Sequence, residues 1–221
     1  MERIFIVAAK RTAIGAFSGT LKDVPTGQLA AYAIKGALAE SRLNGETIDE
    51  VIVGNVISAG QGMGIGRQAA IYADIPASVP AYSVNMVCGS GMKSIMDAVT
   101  HIRAGDAQLV VAAGVENMSQ IPFAAAGNLR TGQRMGNFAM KDLLINDGLT
   151  DVYNQYHMGV TAENVAKEVG ITRDQQDQFA LKSQQKAIAA IEAGYFKNEI
   201  TPIEIKQRKQ TLTFDTDEYP K

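Results

Sequence analysis

A chain of 221 residues is long enough to bury a sizeable core, and its 46% hydrophobic and 20% charged composition is that of a soluble globular protein, not a disordered one. Lys and Arg total 21 against 23 Asp and Glu, for a net charge of -2, which excludes nucleic acid as the main partner because phosphate neutralisation needs a basic excess. One Cys and two His leave no internal disulfide and no Cys/His zinc cage, so no metal is expected.

In chain order, residues 4–8 form a compact apolar run of buried-strand length. It continues to Ala9, stops at Lys10 and Arg11, and is too short for a secretory core or a membrane span, so no membrane partner is expected. A loop with Gly15, Gly19 and Gly27 follows. Apolar residues then recur at Leu29, Ala33, Ile34, Ala37 and Leu38, predicting a helix over 26–43 with Thr26 as its cap. Residues 51–57 read as a second strand, 67–73 as a short helix and 81–85 as a third strand. Met92, Ile95, Met96, Val99 and Ile102 mark one apolar helical face ending near Gly105. The run 109–115 is so apolar that it predicts a central strand covered on both faces. Strands separated by helices imply crossovers and a layered α/β core.

After Glu116 the character changes. Residues 117–160 read as a long loop region with one short helical stretch at 138–146, and so long a loop is usually functional. Helices are predicted over 161–169 and 172–193, the second opening with Thr172 and Gln175 in capping-box spacing and closing at Gly194. The tail over 200–214 alternates like strands and carries Lys206, Arg208 and Lys209, by default a solvated basic edge.

Chemistry concentrates at Asn85-Met86-Val87-Cys88-Gly89-Ser90-Gly91, between a predicted strand and a predicted helix. A thiol in a first helical turn faces unpaired N–H groups that favour thiolate, and those groups could also hold an oxyanion. Gly89 and Gly91 would let a substrate approach the backbone. A small Cys buried in a core helix is the competing reading. The run 60–66 is glycine-rich but fits no phase of Gly-x-Gly-x-x-Gly, so it reads as a flexible connection into a helix. His157 lies in the long loop. His101 lies in a core helix and reads as a satisfied structural residue. The lone thiol indicates a reducing, cytoplasmic compartment.

Taken together, several stretches resemble the thiolase family. They are Val7-Ala8-Ala9-Lys10-Arg11-Thr12 with Gly15-Ala16-Phe17, then Gly54-Asn55-Val56 leading to Arg67-Gln68-Ala69-Ala70, and the segment around Cys88. Ala113-Gly114-Val115-Glu116-Asn117-Met118-Ser119, Tyr156-His157-Met158-Gly159 with Thr161-Ala162-Glu163-Asn164-Val165-Ala166, and Asp217-Glu218-Tyr219 complete the series. The resemblance runs collinearly over the whole chain. It implies a layered α/β core with a mixed sheet over 1–118, followed by a partial α-rich loop domain over 119–221, with the carboxy-terminal core domain absent.

The nearest branch is that of the biosynthetic acetyl-CoA acetyltransferases. The resemblance to it implies formation of acetoacetyl-CoA from two acetyl-CoA through an acetyl thioester on Cys88. Leu149, His157 and Met158 fall on positions that contact the pantetheine part of coenzyme A. No cofactor is implied beyond coenzyme A as part of the substrate. Gln184 stands where the potassium-dependent branch has a Tyr, so that ion is not expected. The family's Asn-Glu-Ala-Phe segment, Gly-His-Pro histidine and second Cys have no counterpart here, and turnover by this chain alone is therefore not expected. Two alternatives stand beside this reading: a non-catalytic half that assembles as a homo-oligomer or with a complementary chain, and a 3-ketoacyl-CoA thiolase acting on longer acyl groups.

Overall fold

The valines and isoleucine of residues 51–53 form the middle of a parallel sheet. Strand β1 (Glu50–Gly54) lies between β2 (Ala81–Val84) and β3 (Val110–Gly114), with Val51 opposite Ala81 on one side and Val111 on the other. This computed structural model describes residues 3–206, 208 and 210–221, so Lys209 of the basic tail cluster lies outside the described residues. Parallel neighbours need crossover connections, and helices supply them: α1 (Thr26–Ser41), α2 (Ile65–Tyr72) and α3 (Ser90–Ala104). Val51 and Val53 pack with Ala30, Ala31 and Ile34 of α1 and with Ala69 and Ala70 of α2. Ile52 alternates to the opposite face, the one against which α3 lies. The side chains of Val51, Ile52 and Val53 are fully buried, each worth about 1.5–3 kcal/mol.

The chain is thus α/β, as its alternating pattern predicts, but the described three-stranded sheet is wholly parallel and not mixed. Antiparallel pairing is confined to two separate hairpins, β4 (Phe123–Ala125) with β5 (Met140–Asp142), and β6 (Ile203–Lys206) with β7 (Thr211–Phe214). The central position belongs to β1. The run expected there, 109–115, forms an edge strand whose residues are only half-buried.

Three further expectations change. Residues 4–8 pair with no other strand among the described residues, and Phe5, Ile6 and Val7 are 73%, 80% and 59% exposed. An apolar run becomes a strand only where a neighbour supplies the ladder hydrogen bonds. Thr26 does not cap α1. Pro25 holds the N-cap position, and Thr26 is the first helical residue, buried, its hydroxyl without a hydrogen-bond partner. In α3 the large apolar residues Met92, Ile95 and Met96 face outward, while Ser90, Ser94 and Ala98 face the sheet. The helix approaches too closely for anything larger. Ser94 Oγ lies 2.9 Å from the Ala113 carbonyl, within hydrogen-bond reach of the strand itself. Gly105 ends α3 in the left-handed conformation, as read.

Beyond the sheet, the region expected to hold a helix at 138–146 instead forms β5 and a π-helical turn, Leu144–Leu149. Helix α4 (Met158–Val169) starts earlier than the apolar spacing indicates. Helix α5 (Arg173–Glu192) opens on the predicted capping box, with Thr172 Oγ1 accepting from Gln175 N–H and Gln175 Oε1 accepting from Thr172 N–H. It carries no fully buried residue.

The tail returns to the start of the chain. Ile203 and Phe214 pack with Ala13, Leu21 and Leu29 in a second cluster. Arg11 exchanges backbone hydrogen bonds with Glu199 and Thr201, and its guanidinium grips Asp217 through both nitrogens at 2.7 and 2.9 Å. Phe196 stacks under the same guanidinium at 5.1 Å. Glu218 accepts from Ala16 N–H and from the Thr20 hydroxyl.

At the far end of α3, His101 Nδ1 lies 2.6 Å from Glu50, which confirms its structural role. That hydrogen bond raises the His101 pKa above its ordinary value, and burial beside Glu50 pushes Tyr82 up to about 12. A raised histidine stabilises the fold fully below its unfolded value and loses the contribution as pH rises through the folded one. His101→Gln is therefore expected to remove part of the stability difference between pH 6 and pH 8, read from denaturant midpoints at both.

Asp217 carries the opposite sign. Burial pushes its carboxyl up, but Arg11 and the Ile14 N–H outweigh burial and hold it below the usual carboxylate range. Its contribution is present above the unfolded value and lost as pH falls through the folded one. Asp217→Asn is expected to cost about 2 kcal/mol at pH 7, lowering the thermal midpoint by about 4–8 °C, with the gap to the parent chain closing below about pH 4.

Candidate active site

Between β2 and α3 the chain turns sharply through residues 85–89. Cys88 lies in this turn and is exposed, which removes the buried-core reading of its thiol. The helix begins later than the sequence suggests: Gly89 is the N-cap and Ser90 the first helical residue, so the thiol sits just ahead of the first turn. Two amides expected to face it are engaged, with Gly89 N–H donating to Met86 and Ser90 N–H to Val87. Val87 adopts a φ of +49°, a conformation that a β-branched residue occupies only under strain of about 1–3 kcal/mol.

The glycines around the turn serve packing. A Cβ on Gly54 would fall 2.4 Å from the Ser90 carbonyl carbon and 2.5 Å from Gly91 N, and one on Gly114 would lie 3.0 Å from Gly91 Cα. Gly54 ends β1 and Gly114 ends β3, so the start of α3 rests directly on the carboxyl ends of two parallel strands. Gly91 was expected to admit substrate; instead it admits the sheet. Ligands in parallel α/β folds bind outside these strand ends.

The other candidates gather at the start of α4. His157 is the N-cap of α4, its Nδ1 accepting from Gly159 N–H at 2.9 Å, which leaves Nε2 to carry the proton. Thr150 and His157 form an antiparallel bridge closed by Asp151 N–H donating to Tyr156, and this brings Leu149 beside His157 and Met158. Met158 is half-exposed. A Cβ on Gly148 would lie 3.2 Å from Ile57 Cδ1, placing this loop against the segment that leaves β1. Asn85, at the entry to the Cys88 turn, donates to Val56 C=O in that same segment. Among the described residues, no hydrogen bond joins Cys88 directly to Leu149, His157 or Met158. Gln184 of α5 accepts from Lys221 N–H. The glycine-rich run 60–66 leads into α2 with Gly60, Gly62 and Gly64 in the left-handed region, as a connection and not a phosphate cradle.

Glu116 is a bracing residue whose part the residue pattern alone does not assign. Half-buried just past β3, it accepts from Val56 N–H at 2.9 Å, Ile57 N–H at 3.3 Å and Asn55 Nδ2 at 3.2 Å. Burial raises its pKa despite these donors. A carboxylate directly after an apolar strand was the available signal. Lys206 and Lys22 line an open cavity of about 630 Å³ that Glu218 also lines, separate from the Cys88 turn.

A parallel sheet joined by crossover helices, with an exposed thiol on the strained turn from β2 into α3, defines a layered α/β domain. The profile of the thiolase N-terminal domain matches residues 4–221, and the chain belongs to that family. It is 51% identical over 222 residues to an acetyl-CoA acetyltransferase of Pseudomonas aeruginosa, covering 100% of this chain and 56% of that protein. It is 53% identical to the acetyl-CoA acetyltransferase of Cupriavidus necator, over 99% of this chain and 56% of that protein. A probable acetyl-CoA acyltransferase of Staphylococcus aureus is 51% identical over 95% of this chain and 53% of its own length. The chain thus spans a little over half the length of these curated relatives.

Gly54→Ala is expected to push the start of α3 off the sheet, because the atoms it meets are backbone and cannot rotate away. The cost should be about 3 kcal/mol, read from urea midpoints.

Proposed function

We propose that this chain supplies the nucleophile-bearing part of an acetyl-CoA acetyltransferase, with Cys88 as the acetyl carrier. The observation that carries this reading is the exposed thiol on a strained turn, set at the carboxyl ends of parallel strands beside the start of a helix. The Cys88 sulfur, as thiolate, attacks the thioester carbon of acetyl-CoA; a new C–S bond forms, the bond to the coenzyme A sulfur breaks, and coenzyme A leaves as thiolate to take a proton from solvent. The activated acyl group is conserved, thioester for thioester. The Cys88 N–H stabilises the oxyanion of the tetrahedral intermediate. Leu149, His157 and Met158 line the approach of the pantetheine arm, a role supported by the Thr150–His157 bridge that clusters them.

Neither histidine of the chain stands as a base beside Cys88: His101 is paired with Glu50, and His157 caps α4 through Nδ1. The expected reaction of this chain is therefore a single acetylation, not turnover. Intact mass spectrometry after incubation with acetyl-CoA should show one acetyl adduct, abolished in Cys88→Ser. Equal labelling of both chains would remove Cys88 from the mechanism.

A second reading concerns assembly. The outward apolar face of α3 (Met92 62%, Ile95 41% and Met96 53% exposed) and the open edges of β2 and β3 favour burial against a complementary chain or a second copy. Light scattering at rising concentration should report association. A monomer across the whole range would count against it.

A further inference from the structure

The residue before Cys88 is held in place by two side chains from different elements. Val87 has a φ of +49° and is 52% exposed, so packing does little to keep it there. On one side, Asn85 Oδ1 accepts from Val87 N–H at 2.9 Å, while Asn85 Nδ2 donates to Val56 C=O at 2.9 Å. Val56 N–H is in turn held by the Glu116 carboxylate. On the other side, the buried Ser90 hydroxyl donates to Val87 C=O at 2.6 Å and accepts from Met86 N–H at 2.8 Å. One strained residue thus has its donor gripped from the exit of β1 and its acceptor gripped from the first turn of α3.

We propose that Asn85 and Ser90 are positioning residues of the acyl-transfer site, clamping Val87 in the left-handed region and thereby aiming the Cys88 thiol out of the turn. This rests on Cys88 being the acyl carrier. Neither side chain needs to touch substrate. Released from the clamp, a β-branched residue returns to negative φ. The peptide joining it to Cys88 then rotates, and the direction of the thiol changes relative to the helix start and the strand ends. A displacement of this kind is enough to cost reactivity without unfolding the chain.

Cys88 is the only cysteine, so alkylation of the intact chain by iodoacetamide reads this thiol alone. The alkylation rate constant and the thermal midpoint are measured in parallel. Asn85→Ala and Ser90→Ala are expected to slow alkylation by about tenfold or more. Ser90→Thr keeps the hydroxyl and should recover most of the rate, whereas Asn85→Asp keeps the acceptor for Val87 N–H but loses the donor to Val56 C=O and should recover only part of it. Adding Val87→Gly to either alanine variant should raise the thermal midpoint, since glycine takes positive φ without strain, yet leave the rate slow because nothing aims the turn. The same double variants serve if an alanine variant alone fails to fold.

Unchanged alkylation in the alanine variants would overturn the clamp. So would recovery of the rate together with the midpoint in the glycine double variants, which would make the two side chains purely structural. Failure of the unaltered chain to accept an acetyl group from acetyl-CoA would instead strike the carrier reading, with the alkylation pattern still deciding whether Asn85 and Ser90 position the thiol.

Discussion

The close approach of one helix to two strand ends governs the rest of the molecule. Where β1 and β3 finish, Gly54 and Gly114 present bare backbone to Gly91. No side chain separates helix from sheet there, and the helix start is fixed relative to the strands by contacts between main-chain atoms, which cannot change rotamer. The turn that bears Cys88 inherits this rigidity. A site built on such a junction is better defined than one built on a free loop, which is what a covalent step requires of its nucleophile. The small residues Ser94 and Ala98 extend the same contact along α3 and force its large apolar residues to the other side.

Polar groups stitch the elements that apolar packing leaves apart. Glu116 ties the exit of β1 to the end of β3 through two backbone amides and Asn55, and burial of the carboxylate raises its pKa against the pull of these donors. Asn117, itself buried, donates to the Leu21 and Val24 carbonyls and pins the loop that precedes α1. Asp217 and Glu218 do the same for residues 11–20, each accepting from backbone amides as well as from a side chain. In every case a side chain satisfies main-chain polar groups that belong to no helix or sheet ladder.

What the sequence made legible follows from the range of the interaction concerned. The capping box of α5 and the glycine stop of α3 depend on residues within one turn of each other, and both are where the pattern placed them. The burial of β1 was legible because three consecutive β-branched residues have few other homes. The position of Cys88 between strand and helix was legible from the glycines around it. Failures occurred where a residue's fate depends on a distant partner. The run at residues 4–8 has the composition of a strand, but composition does not supply the neighbour that would pair it. The apolar face of α3 was correctly recognised as apolar, yet the sheet accepted the small face because of glycines on two other strands. His157 was read as a loop residue, since histidine is not a habitual N-cap, and its role appears only once Gly159 N–H is seen to donate to it. The bracing of Val87 was invisible for the same reason: positive φ at a valine leaves no mark in the residue pattern.

The grip of Arg11 on Glu199 and Asp217 has a consequence for how the molecule comes into being. Arg11 and the residues just after it are bound by Glu199, Thr201, Asp217 and Glu218, 188 to 206 positions further along the chain, so their docking closes contacts of very high sequence separation. Contacts of that separation are expected to form after the more local packing of the sheet and its helices.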